Sequence, residues 1–154
     1  MRIAIGGDHW GYHLKGPLVK FIEDLGHEAI DVGAHHHDPS DDYPDFAIKV
    51  ADLVAKGEVE RGIVVCGSGV GACVAANKVR GVRASVCHDG YSAHQGVEHD
   101  DMNVLCLGAR IIGGEIAREV SVAFLEATFS GEERHVRRLE KTLAIEREHR
   151  TDLE

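Results

Sequence analysis

The chain has 154 residues, 44% of them hydrophobic and 28% charged, with a formal net charge of -9. That length and balance fit one domain with a core of its own, and exclude a disordered tail, a collagen-like rod or a disulfide-stapled miniprotein. An excess of 26 acidic over 17 basic residues also argues against a nucleic-acid or anionic-membrane binder, but not against a small phosphate held by a few local cations.

The apolar run at the N-terminus, Ile3-Ala4-Ile5, is too short for a signal peptide. It reads instead as a strand, Arg2 to Gly6, ending at Gly7-Asp8-His9. Tyr12 to Leu25 is predicted as a helix, because Leu14, Leu18, Phe21, Ile22 and Leu25 share one face and Gly26 follows. Glu28 to Val32 is a second strand, and the polar segment from Gly33 to Pro44 a loop. Asp45 to Ala55 returns to helix. Gly62 to Cys66 is a third strand, whose unbroken apolar run implies burial on both faces. A short helix (Gly71 to Lys78), a strand (Val82 to Cys87), a helix (Tyr91 to His99) and a fifth strand (Asn103 to Leu107) follow. Gly114 to Phe129 and Glu132 to Arg150 are the last helices. Alternating strands and helices predict an α/β fold: a three-layer αβα, Rossmann-like domain over 1–154, with a five-stranded parallel sheet and an extra C-terminal helix.

In such a sheet ligands bind beyond the carboxyl ends of the strands. The sharpest segment there is Cys66-Gly67-Ser68-Gly69-Val70-Gly71-Ala72. Gly67-x-Gly69-x-x-Ala72 satisfies a relaxed dinucleotide fingerprint, but the following helix is short and the motif follows the third strand rather than opening a first βαβ unit. The other reading makes Cys66 a nucleophile or carbon-acid base, with the helix N-terminus and glycine amides favouring thiolate over thiol. Those amides would also stabilise an oxyanion beside it. On position alone, Cys66 is equally the last buried residue of a strand. Asp8 either orients His9 or caps the first helix. His35-His36-His37 reads as a solvated loop, and His94 and His99 lie on different faces of their helix, so no metal pattern emerges. Arg134 and Arg138, four apart, can face one anion or form a solvated face. Cys66, Cys73, Cys87 and Cys106 contain no CxxC pair and read as free thiols of a cytoplasmic protein.

Taken together, Ile3-Ala4-Ile5-Gly6-Gly7-Asp8-His9, Asp42-Tyr43-Pro44-Asp45, Cys66 to Gly71, Ala75-Ala76-Asn77-Lys78, Tyr91-Ser92-Ala93 and Asn103 to Arg110 resemble the ribose-5-phosphate isomerase B family, which includes galactose-6-phosphate isomerase subunits. The resemblance covers about residues 1–145. It implies an aldose–ketose isomerase that needs neither metal nor cofactor, a phosphorylated sugar as substrate, and a homodimer or tetramer with active sites between subunits. By resemblance, Cys66 moves the proton between C1 and C2. Gly67, Ser68, Gly69 and Gly71 hold the enediolate. His99, assisted by Asp8, opens the furanose ring. His9, Arg110, Arg134, His135 and Arg138 are phosphate ligands, some from the neighbouring subunit, and Tyr43 is a sugar contact. Relatives that lack the cysteine use a glutamate where this chain has Ala75.

Four departures bear on substrate: Asp100 replaces the usual Asn after the ring-opening His, Ser68 the commoner Thr, Trp10 a small residue that would leave the pocket wider, and Glu132-Glu133 a glycine pair. The same chemistry on a four- or six-carbon sugar phosphate is therefore an alternative, as is a non-catalytic partner subunit. A nucleotide-binding redox enzyme is the third.

Overall fold

The computed structural model describes residues 1–150; residues 151–154 of the expected 1–154 domain lie outside them. Five strands are present: β1 (Arg2–Gly7), β2 (Glu28–Asp31), β3 (Arg61–Cys66), β4 (Ala84–Val86) and β5 (Val104–Gly108). All pair in parallel, in the order β2-β1-β3-β5-β4. The helices are α1 (Tyr12–Asp24), α2 (Tyr43–Ala55), α3 (Val70–Ala76), α4 (Gly90–Asp100), α5 (Gly114–Glu126) and α6 (Glu133–His149). This is the predicted three-layer α/β architecture. No helix among the described residues is long and apolar enough to cross a membrane.

The two layers follow from the period-2 alternation of side chains. Ile3, Ile5, Ile63, Val65, Leu105 and Leu107 point to one face, where Leu18 and Ile22 of α1, Ala93 and Val97 of α4, and Val120 and Phe124 of α5 cover them. Ala4, Val64, Cys66, Val104 and Cys106 point to the other, under Ala47, Val50 and Val54 of α2 and Ala72 and Ala76 of α3. The central strands are buried on both faces, so they read as unbroken apolar runs.

Most boundaries shift by one or two residues from the sequence reading, and α5 ends three residues early, at Glu126 rather than Phe129. α2 starts at Tyr43 rather than Asp45, because Pro44 sits in its first turn, where no amide hydrogen is needed. The edge strand β4 is shorter than Val82 to Cys87. It pairs only with β5, and the Arg83 carbonyl just before it accepts the amides of Asn103 and Val104 at the start of β5.

α1 enters tightly against β3. A Cβ on Gly11 would lie 2.0 Å from the Val65 carbonyl oxygen, so only glycine lets the chain pass. Gly16, further along α1, has nothing within 4 Å of such a Cβ. Gly11→Ala is therefore expected to destabilise the fold by about 2–3 kcal/mol, lowering Tm by roughly 5–10 °C. Gly16→Ala should leave Tm unchanged or raise it. Calorimetry of the two variants checks the contrast.

Candidate active site

β1, β3 and β5 lie side by side, so the segments after them converge at the carboxyl edge of the sheet. Gly7 pairs with Val65 and Cys66 with Gly108. Beyond the strands the loops stay laced: Ala109 N–H donates to the Cys66 carbonyl at 2.8 Å, and Arg110 N–H to that of Gly67 at 3.0 Å. This brings Arg110 to the glycine loop, where its guanidinium lies 4.2 Å from the centre of the Trp10 ring. Trp10, Gly67, Ser68, Arg110 and Ile111 line a cleft of about 420 Å³. Trp10 thus walls the cleft and braces a cation, a role its position in the sequence does not announce.

Cys66 ends β3 almost fully buried. Gly69 N–H donates to its Sγ at 3.1 Å, a bend that Gly69 permits with φ +83°. Burial pushes the thiol above its ordinary range; the amides of Ala72, Gly69 and Ser68 act against this, and the Asp8 charge adds to it. The expected preference for thiolate is therefore reversed. The cause is desolvation, and the helix that follows has only seven residues. Tyr43 lays its ring over the start of α3: a Cβ on Gly71 would meet it at 2.7 Å.

Asp8 is buried, and its Oδ1 accepts the amides of Trp10 and Gly11 at 3.0 and 3.1 Å. That carboxylate shapes the turn into α1. Burial raises its pKa, opposed chiefly by the Gly11 amide. His9 is held by Asp41, whose Oδ1 lies 2.6 Å from His9 Nδ1. Sequence reasoning missed Asp41; nothing in the spacing links it to His9, 32 positions away. Asp8, His9 and Asp41 bring one donor atom each within 4.8 Å of one another. Within the trio Asp8 Oδ1 accepts two amides and His9 Nδ1 bonds Asp41 Oδ1, while Asp41 Oδ2 has no hydrogen-bond partner.

The other predicted residues form a second group. His99 lies in the last turn of α4, its Nδ1 3.0 Å from Gln95 Nε2. Its ring stacks on His135, centroids 4.0 Å apart. His135 is buried, with Nδ1 2.5 Å from Ser130 Oγ. Desolvation first, then the neighbouring His99 and Arg134, lowers its pKa; Arg138 acts in the same direction. Within one chain His135 thus packs His99 rather than standing open to an anion. Arg134 pairs with Glu132 at 3.1 Å. Asp100 ends α4 and lines a recess with Arg83 and Met102.

Topology separates the two groups. α4 starts after the carboxyl end of β4 and runs back to the amino end of β5, antiparallel to the strands. Its 11 residues span about 16 Å. His99, Asp100 and the start of α6 therefore sit at the opposite edge of the sheet from Cys66, and one chain does not bring Asp8 to His99.

Comparison with known proteins decides the family. A model described as Ribose/Galactose Isomerase matches residues 3–142. The chain belongs to the ribose/galactose isomerase family. It is 45% identical over 145 residues to ribose-5-phosphate isomerase B of Escherichia coli, covering 94% of this chain and 96% of that one. It is 40% identical over 134 residues to D-erythrulose-4-phosphate isomerase of Pectobacterium atrosepticum, covering 85% and 86%. Ribose-5-phosphate isomerase B of Mycoplasma genitalium, solved with bound ribulose-5-phosphate, superposes with a TM-score of 0.91 at 40% identity, covering 96% and 97%. The isomerase family and fold expected from the motifs are thus found, and a dinucleotide-binding redox enzyme is set aside.

Proposed function

We propose that the chain interconverts ribose 5-phosphate and ribulose 5-phosphate through an enediolate, with Cys66 as the base. The observation that carries this is the thiol of Cys66 beside the amide-rich loop and Arg110, in a member of an isomerase family. A carbon-bound hydrogen next to a carbonyl is weakly acidic, so a base of raised pKa is suited to remove it. Amides of residues 67–71 would stabilise the oxygen charge that develops, and Arg110 and His9 the phosphate. The proton returns to the neighbouring carbon, so no electrons leave the substrate.

The ring-opening residue must come from elsewhere, because His99 faces the other edge. We assign the complete site to two copies of the chain: Cys66, Asp8, His9, Tyr43 and Arg110 from one, and His99, Asp100, Arg134, His135 and Arg138 from its partner. Val70, Val74 and Ile111, all more than half exposed beside the glycine loop, are apolar surface that a second copy would cover. The assembly is a homodimer or a tetramer of such dimers. Four free thiols fit a reducing cytoplasm.

Relatives bearing ribose and erythrulose names match at similar identity, so the substrate is tested directly. Purified protein is offered ribose 5-phosphate, four-carbon erythrulose phosphate, and six-carbon allose and galactose 6-phosphates, with a chelator present. Ribose 5-phosphate is expected to give the highest kcat/KM. A four-carbon winner would move the assignment to a tetrulose phosphate, and absence of turnover on all of them would overturn the enzyme reading in favour of a partner subunit.

A further inference from the structure

The loop between β2 and α2 brings Asp41 onto His9. One oxygen, Oδ1, accepts the His9 backbone N–H at 3.0 Å and lies 2.6 Å from the ring Nδ1. Holding main chain and ring together fixes where the imidazole sits and how it is turned. The two side chains are only 21% and 11% exposed, so this is no open-surface pairing. The second Asp41 oxygen, Oδ2, is buried without a hydrogen-bond partner. An unpaired buried carboxylate oxygen costs stability, so fold stability alone does not account for Asp41 here. With Nδ1 committed to the carboxylate, Nε2 is the nitrogen left for a ligand.

We propose that Asp41 is a positioning residue that holds His9 as an imidazolium, with Nε2–H available to the phosphate of the substrate. The inference rests on the sugar-phosphate reading and deepens it by naming what makes His9 a charged anion ligand. The surroundings agree. The His9 pKa is raised, chiefly by the bond to Asp41, against desolvation and with help from the charges of Asp8 and Asp38. The Trp10 ring lies 5.7 Å away and the His37 ring 6.4 Å away, edge-on. Arg110, stacked on Trp10, is the nearby cation and a second phosphate ligand. Asp8 Oδ1 is taken by amides, which leaves Asp41 as the ring's acceptor. A charged donor bonds a phosphate oxygen about twice as strongly as a neutral one.

Asp41→Asn keeps an acceptor for the His9 amide and removes the charge. KM for ribose 5-phosphate and the inhibition constant of inorganic phosphate are each expected to rise about tenfold, with kcat held within about twofold. In ¹⁵N-histidine NMR, His9 should titrate at lower pH in the variant than in the parent. A residue that only supported the fold would lower Tm and kcat without this split. Unchanged KM and phosphate inhibition in the folded variant, or a loss confined to kcat, would overturn the proposal. If the variant does not fold, the parent decides: His9 titrating above the ordinary imidazole range supports it, and at or below that range overturns it. Should the parent turn over no sugar phosphate, the functional reading fails, while the His9 titration and phosphate binding by ³¹P NMR still judge Asp41.

Discussion

Cys66→Ala is expected to lower kcat at least about 10³-fold while leaving affinity for ribulose 5-phosphate close to that of the parent. The thiol is the group at the glycine loop fitted to take a carbon-bound proton, and Ala75 offers no carboxylate in its place. Cys66→Ser separates chemistry from folding. A hydroxyl still accepts the Gly69 N–H, which donates to Sγ at 3.1 Å, so Tm should hold, but a serine hydroxyl does not ionise near neutrality and activity should still vanish. In the parent at saturating substrate, kcat should climb with pH across the neutral range. Only the thiolate accepts the proton, and burial holds the thiol above its ordinary pKa, so the active fraction is still growing there. Near-parental turnover by either variant would remove Cys66 from the chemistry.

His99→Asn should slow interconversion about 100-fold, but through a different step. Ribose 5-phosphate is mostly a closed furanose. Ribulose 5-phosphate, with its terminal hydroxyl phosphorylated, cannot close the corresponding ring. Enolisation of the ketose therefore bypasses ring opening. In D₂O the His99→Asn enzyme should still exchange a C1 hydrogen of ribulose 5-phosphate, whereas Cys66→Ala should lose exchange and interconversion together. Equal loss of exchange in both variants would mean that His99 serves the proton transfer itself.

The strands and the Cys66 loop were legible in the sequence because buried parallel strands are short apolar runs and the turns after them carry glycine. Pro44 hid the first turn of α2, since the same residue ends helices and begins them. The direction of the Cys66 pKa was not legible. The glycine amides are visible in the motif, but the burial that outweighs them comes from Ala72, Ala76 and the packing of α2 and α3 on the sheet. Nor was the separation of the site into two groups. That follows from α4 running back across the sheet, so that His99, near the end of α4 and just before β5, lands at the edge away from Cys66, the last residue of β3. The Asp41–His9 pair is long-range, made by a loop without periodicity.

The division of the site between two chains is tested most directly by mixing Cys66→Ala with His99→Asn protein, each expected at about a hundredth of parental activity or less alone, under conditions that exchange subunits. Half of randomly paired dimers would be mixed, and each mixed dimer would hold one site with both Cys66 and His99 intact, so activity should return to about a quarter of the parent's. Mixed dimers that form, as seen by native mass spectrometry, yet remain inactive would contradict a shared site and put Cys66 and His99 on separate tasks.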